Sequence, residues 1–151
     1  MSARNCYVIF GGLVLMFAAV PSFADDPVGT VKATKGKVDI LRNGSTMQAS
    51  PKMKLMKADK IITGPDSSAG VTLQDGTLLS FGPKSVSQLN EFQYDPVSRD
   101  GNMLISVLNG SMRFVTGLLG KHNASAVSIR TNTSTIGIRG TDFIVNVEGG
   151  N

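Results

Sequence analysis

Apolar and polar positions alternate in short runs along most of the chain. Val38 and Ile40 flank Asp39, and Val71 and Leu73 alternate with Thr72 and Gln74. Met112 and Phe114 alternate with Ser111 and Arg113, and Val127 and Ile129 with Ser128 and Arg130. Near the end, Phe143, Val145 and Val147 are set off by Asp142 and Asn146. A period of two sends successive side chains to opposite faces of an extended chain, so each run predicts a strand with one buried face. Lys35-Gly36, Asn43-Gly44, Asp75-Gly76, Asp100-Gly101 and Asn109-Gly110 separate the runs. Asn, Asp and Gly tolerate the positive φ of tight turns, so these dipeptides predict turns between strands. Short strands at intervals of about ten residues predict an all-β domain.

Three stretches depart from simple alternation. MLISVL at 103–108 is apolar on both faces, which predicts a strand buried on both sides or lying where two sheets meet. SPKMKLMKADK at 50–60 has too few apolar residues for a stable amphipathic helix, so it reads as a loop into a strand at 60–63. EFQYDPVSRDGN at 91–102 ends a strand near Pro96 and turns at Asp100-Gly101. No repeat of fixed length is visible, but strand-plus-turn units of similar length recur. A sandwich, a barrel or a short coil of β-rungs all suit that pattern.

The first residues have a different character. Arg4 precedes an apolar run of 14 residues from Tyr7 to Val20, Pro21 breaks it, and Ser22 and Ala24 flank a cut before Asp25. This is the pattern of a secretory signal peptide over 1–24, and the run is shorter than the roughly 20 residues of a spanning helix. One domain, 25–151, then remains, with no further segment long enough to span a bilayer and no cysteine, because Cys6 is the only one. An exported domain without disulfides depends on core packing and backbone pairing. The mature charge is 14 basic against 11 acidic residues, +3, since only Arg4 leaves. That mild charge is spread out and does not alternate with aromatics, so nucleic acid is not an expected partner.

The chemistry on offer is thin. Nucleophilic catalysis generally needs a serine or cysteine beside a base. His122, the single histidine, sits in GLLGKHNAS, which reads as a polar turn. Ser85 adjoins Lys84 without a recognisable motif, and neighbours on a strand face opposite ways. There is no Cys/His cluster for zinc and no D-x-D-x-D-G calcium loop around Asp95 and Asp100. Glu91 and Asp95 are the one carboxylate pair to consider for a glycosidase, and Tyr94 and Phe92 share a strand face nearby. The Asn-x-Ser/Thr sequons at Asn43, Asn109, Asn123 and Asn132 are in two cases the turn dipeptides themselves. No metal or cofactor is expected.

TSTIGIRGTDFIVNV at 133–147 tests whether Gly137 and Gly140 form a phosphate loop. Such a loop stands between a strand and a helix, yet TDFIVNV after Gly140 is β-patterned. The stretch therefore reads as a strand at 135–138, a bend at Gly140 and a strand at 141–147. Arg139 is then at the rim of the bend, available to a carboxylate or a ligand.

TGPDSSAGVTLQDGTLLSFGPKS at 63–85, LNGSMRF at 108–114 and VSIRTNTSTIGIRGTDFIV at 127–145 resemble the FecR domain, the periplasmic domain of iron-dicitrate-type surface-signalling regulators. The resemblance covers about residues 28–147. It implies an all-β, solenoid-like stack of short strands, with a β-sandwich as the alternative fold. The family's full-length regulators carry a cytoplasmic anti-sigma segment, a membrane helix and a further C-terminal region. Here a signal peptide stands in place of the first two, and Asn132 and Ser134 replace the usual proline and alanine. The expectation is a periplasmic or secreted, non-enzymatic binding module in envelope signalling or surface assembly, with an envelope protein as partner. The alternative is a structural β-protein that pairs with itself or others through strand edges, and a polysaccharide-acting enzyme comes third. Arg139 and Tyr94 are the candidate interaction residues. Asp75, Gly76, Gly110, Gly140 and Phe143 carry the structural motif.

Overall fold

The computed structural model describes residues 26–148; the expected signal peptide lies outside the described residues. Strands make up 56% of the described residues and helix 7%, so the fold is all-β. The strands are β1 (Gly29–Lys35), β2 (Val38–Arg42), β3 (Ser45–Gln48), β4 (Lys54–Leu55), β5 (Lys60–Thr63) and β6 (Ser68–Leu73). They continue with β7 (Leu78–Phe81), β8 (Val86–Tyr94), β9 (Gly101–Val115), β10 (Val127–Arg130), β11 (Thr135–Gly137) and β12 (Asp142–Val147). A short helix, α1 (Leu118–His122), and one 3-10 turn at Ala124–Ala126 link β9 to β10. No helix among the described residues is long and apolar enough to cross a membrane.

All twelve strands join in one curled, mostly antiparallel sheet, a half-barrel. The sheet is creased into two leaves. One leaf runs β4-β1-β6-β7-β9-β12; the other runs β3-β2-β5-β8-β9-β10-β11. The fifteen-residue β9 belongs to both. Its first part pairs with β8 and, in parallel, with β10, while its last part pairs with β7 and β12. This explains the doubly apolar MLISVL stretch, which lies in the strand the leaves share. Val38, Ile40, Leu55, Ile105, Val107, Met112, Phe114 and Ile129 are nearly or fully shielded from solvent, in one core cluster drawn from both leaves. Each such side chain contributes roughly 1.5–3 kcal/mol by leaving water.

Four chain passes cross the crease, and two sets of contacts there are near copies. Gly64-Pro65-Asp66-Ser67 and Gly82-Pro83-Lys84-Ser85 turn with a positive φ at the third residue, 53° for Asp66 and 52° for Lys84. Each serine hydroxyl accepts a backbone N–H from the neighbouring pass. Ser67 accepts from Lys37 at 2.9 Å, and Ser85 accepts from Ser111 at 3.0 Å. Each leading glycine returns the favour by donating to the same residue's carbonyl, Gly64 to Lys37 at 2.9 Å and Gly82 to Ser111 at 3.0 Å. The residues before these partners are Gly36 (φ +71°) and Gly110 (φ +79°). A Cβ on Gly110 would stand 2.6 Å from the Ser85 Cα, so glycine is required by space as well as by conformation. Between the two turns, the Thr63 hydroxyl donates to the Gly82 carbonyl at 2.6 Å and accepts the Ser85 N–H at 2.8 Å.

The turn dipeptides therefore do two different jobs. Asn43-Gly44 is a hairpin turn with φ of 49° and 78°, the geometry of a type I′ turn. Lys35-Gly36 and Asn109-Gly110, expected to be turns of the same kind, are instead crease points where the chain passes from leaf to leaf. A second departure is α1, where a plain polar turn is expected around His122. Asp75, fully buried, causes it: its carbonyl accepts the Leu118 N–H at 2.8 Å and its carboxylate the Leu119 N–H at 3.4 Å. The same carboxylate holds the Thr77 N–H and hydroxyl, at 3.0 and 2.7 Å, and Thr77 in turn accepts the Gly117 N–H at 3.1 Å. A helix this short cannot stand alone; the β6–β7 turn supplies its N-terminal partners.

Candidate functional site

The leaves end differently on the two sides. On one side β4 and β3 are each the last strand of their leaf, so the edges are flush. On the other side, past β9, one leaf adds β10 and β11 while the facing leaf adds only β12. The second leaf is thus one strand short, and the inner face of β11 has no strand opposite it. The result is a cleft of about 650 Å³ lined by the β10–β11 loop (131–134), Ile136 and the open edge of β12 from Phe143 to Glu148. We call it the mouth.

Each lining side chain is placed by a local cause. Ile136 pairs in register with buried Ile129 and so shares its inward face, yet it remains 36% exposed. Phe143 stacks on Phe114 with ring centroids 5.2 Å apart and is half-buried. Val145 is buried, Val147 half-buried, and Ile144, on the outer face, is 68% exposed. Asn132 closes the loop end through its side-chain N–H to the Leu108 carbonyl at 3.0 Å, and Thr131 ties the turn through Ser134. Bound to no strand but β9 among the described residues, β12 offers six residues of open edge.

Electrostatics around the mouth are lopsided. Arg113 and Asp142 form a two-bond pair at 3.0 and 2.6 Å on the outer face. Hydrogen bonding to Arg113 holds the Asp142 carboxyl below the ordinary aspartate range, and Asp142 raises the guanidinium in return. Arg139 is exposed and forms no ion pair among the described residues. It stands in the β11–β12 connection beside buried Ile138 and lines a small cleft of about 170 Å³ with Ile136 and Phe143. Gly140 follows with φ +126°, and its carbonyl accepts the Thr116 hydroxyl at 3.1 Å.

The candidate residues fall in separate places. Arg139 and Phe143 meet at the small cleft that adjoins the mouth through Ile136 and Phe143. Tyr94 is half-buried and lines a different, open basin of about 520 Å³ with Asp26, Gln74, Asp95 and Asp100 at the far end of the β8–β9 hairpin. Asp75 and Gly76 lie at the α1 junction and Gly110 on the crease. Of the two carboxylates considered for catalysis, Asp95 is engaged by its own turn, accepting from Val97 at 2.8 Å and Ser98 at 3.4 Å. The Val97 N–H is the main reason its carboxyl is lowered. Glu91 accepts from the Asn102 amide at 3.0 Å. The Ser85 hydroxyl is tied to backbone at the crease, and the His122 ring stands 3.4 Å from Asp100 on the surface. Among the described residues no three His, Cys, Asp or Glu side chains gather as metal ligands.

Sequence reasoning missed two features. The doubled Gly-Pro-x-Ser at 64–67 and 82–85 is the written signal for the crease. For the mouth no single motif exists; Ile144 within a polar outer row of β12 is its one local trace.

No curated protein and no solved structure matches the chain. The family described as FecR protein matches over residues 59–151, from buried Asp59 through both Gly-Pro-x-Ser turns to the end of the chain. FecR domains are periplasmic regulatory modules that work in signalling through protein interactions rather than a family of enzymes. A match over more than half of the chain, including the crease turns, the Asp75 junction and the whole mouth, places this protein in the FecR family.

Proposed function

We propose that this chain is an exported, non-enzymatic FecR module of the envelope that acts by holding another protein at the mouth. Residues 1–24 serve as the cleaved leader and 25–151 as the binding domain. The observation that carries this reading is the one-strand deficit beside β11, which leaves Ile136, Phe143 and Val147 partly exposed around a cleft. Clefts of this size with apolar walls are ordinary binding sites, and long apolar edge strands are normally covered. Arg139 at the rim supplies the charged contact, while Tyr94 belongs to a separate basin.

The test is site-specific photocrosslinking in the producing cell, with a photoreactive side chain at position 136 and, as control, at exposed Lys52 on the opposite side. We expect an adduct heavier than the chain itself from position 136 and none from position 52. An adduct at twice the chain mass would favour self-assembly. Crosslinks from position 94 alone would move the site to the Tyr94 basin and end the mouth reading.

A further inference from the structure

The hydrogen-bond register of β12 says how the mouth is filled. The Thr116 N–H donates to the Thr141 carbonyl at 2.8 Å, in line with the β9–β12 pairing. In an antiparallel pair, residues alternate between bonding to the neighbour and turning their N–H and C=O away. Phe143, Val145 and Val147 therefore bond to β9, and Asp142, Ile144 and Asn146 turn their backbone groups to the open side. No side chain or backbone among the described residues bonds to those groups. Inward-facing Ile136 of the opposite leaf stands across the empty position.

We propose that the mouth accepts a single extended segment of a partner protein, added as a strand to the free edge of β12. Apolar side chains on one face of that segment would cover Ile136 and Phe143, and an acidic residue would meet Arg139. This rests on reading the mouth as the interaction site. Three observations select this occupant. The vacancy is one strand wide, because one leaf exceeds the other by one strand. A second copy docked edge to edge through β12 would bring its own β10 into the column that β11 occupies, so the deficit does not suit a dimer. Two charges flank the edge strand without an ion pair among the described residues, Arg139 before β12 and Glu148 after it, so a segment with its acidic residue at the Arg139 end complements the site. Strand addition of this type draws affinity from main-chain bonds and specificity from alternate side chains.

The experiment uses the whole mature chain and a synthetic nine-residue peptide alternating valine and threonine, with one terminal glutamate. We expect amide exchange at Ile144 and Asn146 to slow on addition of the peptide, while exchange along β8 stays as it was. Ile144→Pro removes an N–H that faces solvent in the free protein, which an edge strand tolerates, so the fold persists. Unchanged exchange protection in β9 verifies that. The variant should lose at least about tenfold in peptide affinity, and Arg139→Glu should lose several-fold. Full binding by Ile144→Pro, or peptide binding without protection at Ile144 and Asn146, overturns strand addition. So does failure of the peptide to bind while position 136 still crosslinks in the cell, an outcome that leaves the mouth as the interaction site. Chain–chain adducts at position 136 replace the partner with a second copy.

Discussion

The two ends of the creased sheet differ by one strand, and the difference separates what folds this protein from what it offers to others. At the flush end β3 and β4 are four and two residues long, too short to template another chain. A charged latch secures that end. The Arg42 guanidinium donates to both oxygens of buried Asp59, at 2.8 and 2.6 Å, and to the Lys54 carbonyl at 2.9 Å. The Met56 N–H completes the carboxylate's partners at 2.8 Å, and Met47 and Met53 pack against the core beside it. At the other end the edge strand is six residues long and apolar on its inner side, and it carries a solvent-exposed Arg113–Asp142 pair in place of a buried latch. Polar groups are satisfied and apolar ones covered where the fold closes, and neither holds where it stays open.

The largest contrast comes from breaking the latch and comparing it with an equally local change at the mouth. Arg42→Met leaves Asp59 buried without its cation. Removing one partner of a buried pair costs about 3–5 kcal/mol, and because the Arg42 side chain is 28% exposed we expect the lower part of that range. Ile136→Thr, which removes apolar surface from a position already open to water, should change stability by less than about 0.5 kcal/mol. Urea unfolding midpoints of the two variants measure this. Equal losses would mean that the mouth is core rather than surface, and the comparison would collapse.

How much of this could be read in the sequence follows from the range of the forces involved. Strand alternation and positive-φ turn residues act over a few positions, so the all-β class and the β12 alternation around Phe143 and Val145 were legible. The strand at Lys60–Thr63 was legible for the same reason, but the expected loop at 50–60 contains the two-residue β4, which forms only because β1 lies beside it. The crease was not, because Gly36 and Gly110 look like hairpin glycines until Ser67 and Ser85 are known to sit against them. The α1 helix was hidden similarly: its N-terminal N–H groups are satisfied by Asp75, far earlier in the chain. The mouth is least legible of all. It is a mismatch in strand count between two leaves, a property of topology whose one local trace is Ile144. The FecR resemblance named the blocks around it without indicating that Arg139 stays free or that Tyr94 lies elsewhere.

A middle-sized effect sharpens the comparison at Gly140, whose φ is positive. Gly140→Ala places a Cβ where nothing stands within 4 Å, so its cost is conformational alone, about 1–2 kcal/mol for forcing a left-handed backbone. Because Gly140 turns the chain into β12, we expect the loss to fall on the mouth first. Exchange protection of the Phe143 and Val145 amides should drop before that of β5 or β8. If all strands lose protection together, β12 unfolds with the core and the mouth is no separate unit.

The smallest effect is electrostatic and belongs to the outer face of β12. Arg113 holds the folded-state Asp142 carboxyl below its unfolded value. A lowered carboxyl contributes stability that is complete above the ordinary aspartate range and is lost as pH falls through the folded value. The β9–β12 pairing should therefore be indifferent to pH from neutrality down to that range and weaken only below it. Both side chains are solvent-exposed, and such pairs contribute little, so the change should appear in local opening rather than in global unfolding. Protection of the Phe143 amide, corrected for intrinsic exchange, should fall below the aspartate range in the native chain and be flat in Asp142→Asn. A native-chain profile as flat as the variant's would show that the pair does not hold the edge strand, leaving the Phe143–Phe114 stack and the β9 ladder to keep β12 in place while its far side stays open to a partner.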